Sequence, residues 1–297
     1  MRQNLAFRLK MAKQKGELCA REHGFTALAV DPFAIAAKHD IEVGAKADVS
    51  EGVSGMLLRH GNAFGILYST FITSEGFQRF SVAHELAHYF LEGHVDHVLP
   101  EDGMHVSEAG FTSGNPYELE ADQFAAGLLM PSEFFKPALR RRPAGFATIE
   151  ALSSLAHTSL TATAIRCAEL SDDALAAIIS TGPTVDFCFL SDAIKSLPQL
   201  TWIRKGTPVP ADTVTARFNA SRQRVLSAER DADDIDVTTW LGGNQHAKVT
   251  EEAIGLGGYG KTLTLLYSET LGQSGVDPSD EDEEQDLAEK WTPRFRR

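Results

Sequence analysis

A His-Glu-x-x-His run constrains this chain most, because it lies inside a segment with helical apolar spacing. The run extends from His84 to His88 within residues 80–91. Positions four apart lie one turn above each other on the same helix face, so both histidines can point at one ion. Glu85, one step round the helix, can then reach a water bound to that ion. The run therefore predicts a helix that carries a metal site.

A zinc site that catalyses a reaction needs a third protein ligand and an open fourth position. Glu118 is the best candidate, since it opens a Glu-x-x-x-Asp spacing on a second predicted helix. Asp122, one turn further on, can hold the outer N–H of a ligand histidine. Glu120 is the competitor, but it lies about 200° round the helix from Glu118. The two glutamates therefore cannot both face the ion, and Glu118 is the predicted ligand.

This donor set permits metal-assisted hydrolysis. With His84, His88 and Glu118 as ligands of Zn²⁺, Glu85 would remove a proton from water and return it to a leaving amine. An amide is the natural substrate of such a site.

Three further histidines, His94, His97 and His105, fall in or beside a polar stretch from Val95 to Pro116 that shows no convincing period. The stretch predicts a long surface loop. Exposed loop histidines are usually solvated, so we predict no second metal, although one of them could stabilise an oxyanion across the cleft.

The periodic segments before and around the motif predict a small sheet followed by two long helices, within an α+β fold. His60-Gly-Asn separates two of the β-rich runs and is typical of a hairpin. Helices are predicted at 3–22, 31–39, 74–91 and 117–130, and strands at 41–45, 54–59 and 63–68.

The C-terminal half changes in character. Two helices at 148–157 and 159–170, joined by a tight turn, form a helix-turn-helix pattern. A β-rich region follows, with strands predicted at 175–180, 185–190, 200–203, 237–240 and 262–267. The chain is therefore divided into a catalytic domain (1–140), a helix-turn-helix-like segment (141–173), a β-rich domain (174–272) and an acidic tail (273–297).

Net charge and cysteine content limit the partners and the cellular compartment that the sequence favours. The net charge of -13 disfavours non-specific attraction to nucleic acid or to an anionic membrane. Three widely spaced cysteines form neither a disulfide framework nor a thiolate zinc site, which predicts buried thiols and a reducing, cytoplasmic setting. The N-terminus alternates basic and apolar residues without a long apolar core, so it predicts an amphipathic helix and not a signal peptide. No apolar run approaches the roughly 20 residues of a membrane span.

The sequence of residues 79–88 together with that of residues 118–131 resembles the ImmA/IrrE family of metallopeptidases, and the resemblance extends over about residues 25–170. It implies a zinc endopeptidase with a zincin-like domain. It also implies a partner as substrate, an Xre-type helix-turn-helix repressor whose cleavage releases stress-response or mobile-element genes. The family's ligands fall here on His84, His88 and Glu118, with Glu85 as base.

Beyond the peptidase domain, the order of segments in this chain is similar to that in longer members of the family. They carry a helix-turn-helix-like segment and then a sensor-like domain of the GAF type, so the resemblance implies a GAF-like C-terminal domain. One departure is Ala87, where many members have glycine; both residues are small, and we expect no loss of activity.

Two other classes of function remain open. One is a DNA-binding regulator that retains the metal site for structure, but residues 161–170 offer only Arg166 as a basic residue, which favours packing or partner docking over direct DNA binding. The other is an antitoxin-like binding protein whose protease fold serves only as a docking surface.

Overall fold

The computed structural model describes residues 2–47, 52–99, 103–108 and 114–271, so the predicted acidic tail lies outside the described residues. The chain forms two compact units, each with its own sheet. The first includes Met1–Phe135 and Ser153–Ser159, and the second includes Lys136–Leu152 and continues from Leu160. The mixture of small sheets and helices confirms the α+β class, while the GAF-like assignment and the DNA-binding type of helix pair remain predictions.

The helices in chain order are α1 (Arg2–Glu22), α2 (Pro32–Lys38), α3 (Glu75–Phe90), α4 (His94–Val98), α5 (Pro116–Leu129), α6 (Ser132–Leu139), α7 (Phe146–Ala156), α8 (Leu160–Leu170), α9 (Asp192–Lys195), α10 (Val214–Asn219), α11 (Arg222–Leu226) and α12 (Thr238–Leu241). The strands are β1 (Glu42–Lys46), β2 (Val53–His60), β3 (Ala63–Ser69), β4 (Met104–Glu108), β5 (Ala174–Thr181), β6 (Thr184–Leu190), β7 (Arg230–Asp236), β8 (Lys248–Gly255) and β9 (Thr262–Ser268).

Side-chain caps determine where the two helices that carry the motif residues begin. The Ser74 side chain accepts a hydrogen bond from the backbone N–H of Phe77 and starts α3. Asn115 starts α5 in the same way by accepting from Tyr117, with Pro116 in the first turn. Both helices begin and end within one residue of the predicted bounds, which are confirmed.

The first sheet has the strand order β1-β3-β2-β4. β2 and β3 form the predicted antiparallel hairpin, and β1 joins β3 in parallel. β4 pairs antiparallel with β2 and forms an edge of the sheet.

The prediction of a long loop from Val95 to Pro116 was wrong in part, because this stretch contains most of α4 and all of β4. In β4 the polar residues face inward and the apolar residues face outward, which is the reverse of an ordinary half-buried strand. Met104 and Val106 are exposed, whereas the polar Ser107 is buried and His105 is partly buried. A polar inward face gives no hydrophobic signal of a strand.

Two glycines let α1 pack closely on α5 in the first unit. A Cβ on Gly16 would lie 2.1 Å from the backbone oxygen of Phe124, and one on Gly127 would lie 2.2 Å from that of Lys13. Any larger residue would force the helices apart. The predicted N-terminal helix is thus confirmed and forms part of the core of this unit.

The second unit contains an antiparallel sheet with the order β6-β5-β9-β8-β7. Two predicted strands were wrong: residues 200–203 form no strand, and residues 237–240 are the N-cap and first three residues of α12. β7 and β8 were not predicted. β7 is an acidic, largely exposed edge strand that pairs with β8 and contributes Ile235 to the apolar packing of the unit.

Cys19 and Cys167 are buried and Cys188 is partly buried, and none of the three is in a disulfide. Burial raises the pKa of each thiol to about 12. The described part of the chain contains no helix that is long and apolar enough to cross a membrane.

Candidate metal centre

α3 and α5 bring the three predicted ligands together. The Nε2 atoms of His84 and His88 lie 3.2 Å apart. The Oε2 atom of Glu118 lies 3.1 Å from Nε2 of His84, and its Oε1 atom lies 3.5 Å from Nε2 of His88. The spacing of four on α3 and the first turn of α5 therefore place three donors around one point, as a metal-binding group.

The spacing of these donors fits Zn²⁺. Tetrahedral zinc, with bonds of about 2.0–2.2 Å to nitrogen and oxygen, separates its ligand atoms by about 3.3–3.6 Å. The separations measured between His84, His88 and Glu118 span 3.1 to 3.5 Å. Two imidazoles and one carboxylate also leave a fourth position open, as a catalytic zinc site requires.

Asp122 holds the outer nitrogen of His84, as its spacing from Glu118 predicted. The distance from Nδ1 of His84 to Oδ1 of Asp122 is 2.9 Å, so an Nδ1–H can donate to the carboxylate and leave Nε2 for a metal. In the metal-free site, burial would lower the pKa of His84, but the hydrogen bonds to Asp122 and Glu118 raise it to about 10. Burial would likewise raise the pKa of Glu118, but His105 and His84 hold it well below its usual range.

Glu85 is fully buried, with 0% of its surface exposed. Within the described residues, no hydrogen bond of good geometry reaches either of its carboxylate oxygens, although the Ser107 side chain is near enough to help lower the pKa of the carboxyl. Burial raises the pKa of this carboxyl, and the neighbouring His84 opposes the rise. A buried carboxylate without such a hydrogen bond has unused capacity to accept hydrogen bonds, which suits the predicted base.

His94 is not the solvated loop residue that the sequence predicted. It is the first residue of α4 and only 1% exposed. Its Nδ1 lies 3.1 Å from Nδ1 of His88, and its Nε2 lies 2.9 Å from Oε2 of Glu120. Glu120 thus faces away from the three ligands, as the helical geometry predicted, but it pairs with a neighbour of the site.

His105 also differs from the prediction of a solvated histidine. It points inward from β4, and its Nε2 lies 3.1 Å from Oε1 of Glu118. Its ring lies 4.8 Å from that of His88, centroid to centroid. The only sequence signal for this position is the alternation of residues 104–108, which the polar inward face disguised.

Among the described residues a second metal-binding group comprises Glu85, His88 and His105. Because it shares His88 with the first group, the two describe alternative positions within one centre. His97, by contrast, is exposed and stacks on Tyr117 with ring centroids 4.1 Å apart, in keeping with the prediction for a loop histidine.

Comparison with known proteins agrees with this geometry. Residues 36–166 match the model of a peptidase family described as the IrrE N-terminal-like domain. The match contains all three candidate ligands as well as Glu85. No curated protein gave a significant match to the sequence.

A solved structure titled a Mycobacterium tuberculosis transcriptional regulator is similar in fold. It matches with a TM-score of 0.57 and 14% sequence identity, over 94% of this chain and 85% of that chain. At this identity the likeness concerns the fold alone. Residues 36–166 are thus similar to the IrrE N-terminal-like domain of a peptidase family, which confirms the resemblance to ImmA/IrrE proteins over this part of the chain.

Proposed function

We propose that this protein is a cytoplasmic zinc endopeptidase of regulatory type, which cleaves a partner Xre-type helix-turn-helix repressor. The observation that carries the proposal is the convergence of His84, His88 and Glu118 beside the buried Glu85. The repressor as substrate rests on the resemblance to the ImmA/IrrE family. The similar fold of a protein titled a transcriptional regulator supports a regulatory setting.

Four side chains and the ion would carry out the hydrolysis together. Bound by His84, His88 and Glu118, Zn²⁺ would supply Lewis acidity toward water and toward the scissile carbonyl. Glu85 accepts a proton from the attacking water and delivers it to the leaving amine nitrogen. One water is consumed, the C–N bond breaks, and a carboxyl and an amine are formed.

His105 is placed to assist from strand β4. It reaches Glu118 from strand β4, whereas the other groups lie on α3 and α5. When its Nε2 carries a proton, it can donate a hydrogen bond to the oxyanion that develops on the scissile carbonyl. Sequence reasoning left open which of His94, His97 and His105 could take this part.

The alternative of direct DNA binding lacks support from α7 and α8. Arg166 is the only basic residue in these two helices. It is 3% exposed, and its guanidinium donates to Glu169. Protein–DNA interfaces depend on exposed cationic side chains that contact phosphates, so these helices do not offer a DNA-reading surface.

The test is to load the purified protein with zinc and incubate it with Xre-type repressors encoded beside its gene. We expect discrete repressor fragments on a gel. Glu85→Gln should abolish them while zinc remains bound, because a general base contributes about 10²- to 10⁴-fold. The exposed Glu92→Gln variant is the matched control and should cleave normally.

Two outcomes would contradict the proposal. One is stoichiometric zinc binding without cleavage of any partner, which favours a binding protein in which the metal is structural. The other is a shifted DNA band with the repressor left intact, which favours a DNA-binding regulator.

A further inference from the structure

His88 lacks the carboxylate partner that His84 has. Asp122 accepts directly from Nδ1 of His84, whereas the hydrogen-bond partner of Nδ1 of His88 is Nδ1 of His94, 3.1 Å away. Both members of this histidine pair are buried, with His88 0% exposed. A contact between two ring nitrogens holds only when one donates and the other accepts.

Binding of a metal through Nε2 fixes the direction of this hydrogen bond. A neutral imidazole with its lone pair on Nε2 carries its proton on Nδ1, so His88 is the donor. Nδ1 of His94 must then be bare and accept, which places the proton of His94 on Nε2. That N–H lies 2.9 Å from Oε2 of Glu120 and donates to it.

Glu120 is held in turn by the N-terminal helix. Arg8 of α1 forms an ion pair with Oε1 of Glu120, and its guanidinium also lies over the ring of Tyr117, 5.3 Å from the centroid. The same tyrosine ring packs edge-on against His94, with centroids 5.0 Å apart. α1 lies outside residues 36–166, so a helix beyond the matched domain supports its metal centre.

We propose that His94 and Glu120 are positioning residues, which fix the tautomer and the ring orientation of His88 for metal binding. The inference rests on the proposed zinc site and adds to it a relay that runs from His88 through His94 to Glu120. Arg8 anchors the far end. Partners of this kind orient a ligand and raise its basicity, and their loss costs about 10- to 100-fold in metal affinity.

The first test measures zinc affinity by competition with a chromophoric chelator, which requires no substrate. His94→Phe keeps a flat ring but removes the acceptor, so the zinc dissociation constant should rise about 10- to 100-fold. His94→Asn places an amide oxygen near the position of Nδ1 and should restore affinity to within about threefold of wild type. The exposed His97→Phe on the same helix is the matched control and should bind as wild type.

A second measurement uses the intact protein and avoids the risk that a buried substitution prevents folding. Long-range ¹H–¹⁵N spectra of the histidine rings in the zinc-loaded protein should show His88 protonated at Nδ1 and His94 protonated only at Nε2. The spectrum of His94→Asn assigns the signals of His94 by their loss. A proton on Nδ1 of His94 would overturn the proposal.

Failure of the proposed relay can be distinguished from failure of the proposed function. If His94→Phe binds zinc within about twofold of wild type, or if His94→Asn is as weak as His94→Phe, the relay is wrong even where the repressor is cleaved. If the affinities change as expected but no repressor is cleaved, the relay stands and the peptidase function fails. A wild-type protein that binds no zinc would overturn both.

Discussion

The backbone of Gly55 in β2 lies so close to the Glu85 carboxylate that a Cβ at position 55 would stand 2.6 Å from Oε1. Contacts this short do not occur in folded proteins without displacement of one partner. The strand thus leaves a gap of one methyl group into which the carboxylate fits. β2 thereby fixes the position of Glu85, which its own helix does not determine alone.

Gly55→Ala should therefore move Glu85 while the three ligands stay in place. We expect cleavage to slow by about 100-fold, because a shift of about 1 Å in a reacting group can cost that much. Zinc affinity should remain near that of wild type. Single-turnover cleavage and chelator competition measure the two effects separately.

Gly65→Ala in the neighbouring strand is the control for this change. A Cβ there would meet the backbone oxygen of Glu42 at 3.6 Å, which is an ordinary contact, and cleavage should be unaffected. Full activity of Gly55→Ala would show that the position of Glu85 does not depend on β2.

Asp122→Ala should weaken zinc binding, because it leaves the buried Nδ1–H of His84 without its acceptor at 2.9 Å. The expected loss is about 10- to 100-fold in affinity, the usual effect of removing such a partner. Chelator competition measures it, and Asp96→Ala at an exposed position of α4 serves as the control. An unchanged zinc dissociation constant would argue that Glu118 alone orients His84.

The convergence of the candidate ligands could be predicted in large part because it depends on local geometry. His84 and His88 lie one turn apart on one helix, and Glu118 and Asp122 lie one turn apart on another. Each pair has to share a helix face whatever surrounds it. Only the contact between these two helix faces depends on the tertiary fold. The resemblance to a known family led us to expect that contact.

The surrounding residues of the site could not be predicted in this way. The burial of His94 depends on its packing against His88 and Glu120; His88 lies on another helix and Glu120 is 26 residues away, so no helical period links them to His94. His105 lies on a strand whose polar side faces the centre, so its pattern is that of a loop. In the second unit the acidic β7 depends on backbone pairing with β8 and on ion pairs such as that between Lys248 and Asp234, for which an apolar side-chain pattern gives no signal.

His105→Phe tests the assignment of an oxyanion donor. The ring is retained but the Nε2 donor near Glu118 is lost, so cleavage should fall about 10²- to 10³-fold at saturating repressor. Zinc affinity should fall by no more than about 10-fold, the lower end of the loss expected for a partner of a ligand, since His105 contacts Glu118 but is outside the proposed ligand set. A large loss of zinc affinity together with normal cleavage by the zinc-saturated variant would instead identify His105 as a ligand.

The pair formed by His23 and His39 should make the first unit sensitive to acid. Their Nε2 atoms lie 2.8 Å apart, a contact that requires one ring to accept and therefore to be neutral. Burial lowers the pKa of His39 below its ordinary value of 6.5, and the charge of His23 adds to this effect, while Asp40 opposes it. The unfolded chain therefore binds a proton at His39 more readily than the folded chain does.

Stability linked to His39 is thus fully present above about pH 6.5 and is lost as the pH falls through the lower pKa of the folded state. We expect the melting temperature to drop between about pH 7.5 and about pH 5.5, and His39→Gln to reduce that drop. Thermal melts of the metal-free protein measure this drop in melting temperature. His246→Gln is the control, because His246 is an exposed histidine of the second unit and contacts Asp236 instead of another histidine. Parallel melting curves for wild type and His39→Gln across this range would show that the pair does not couple protonation to folding.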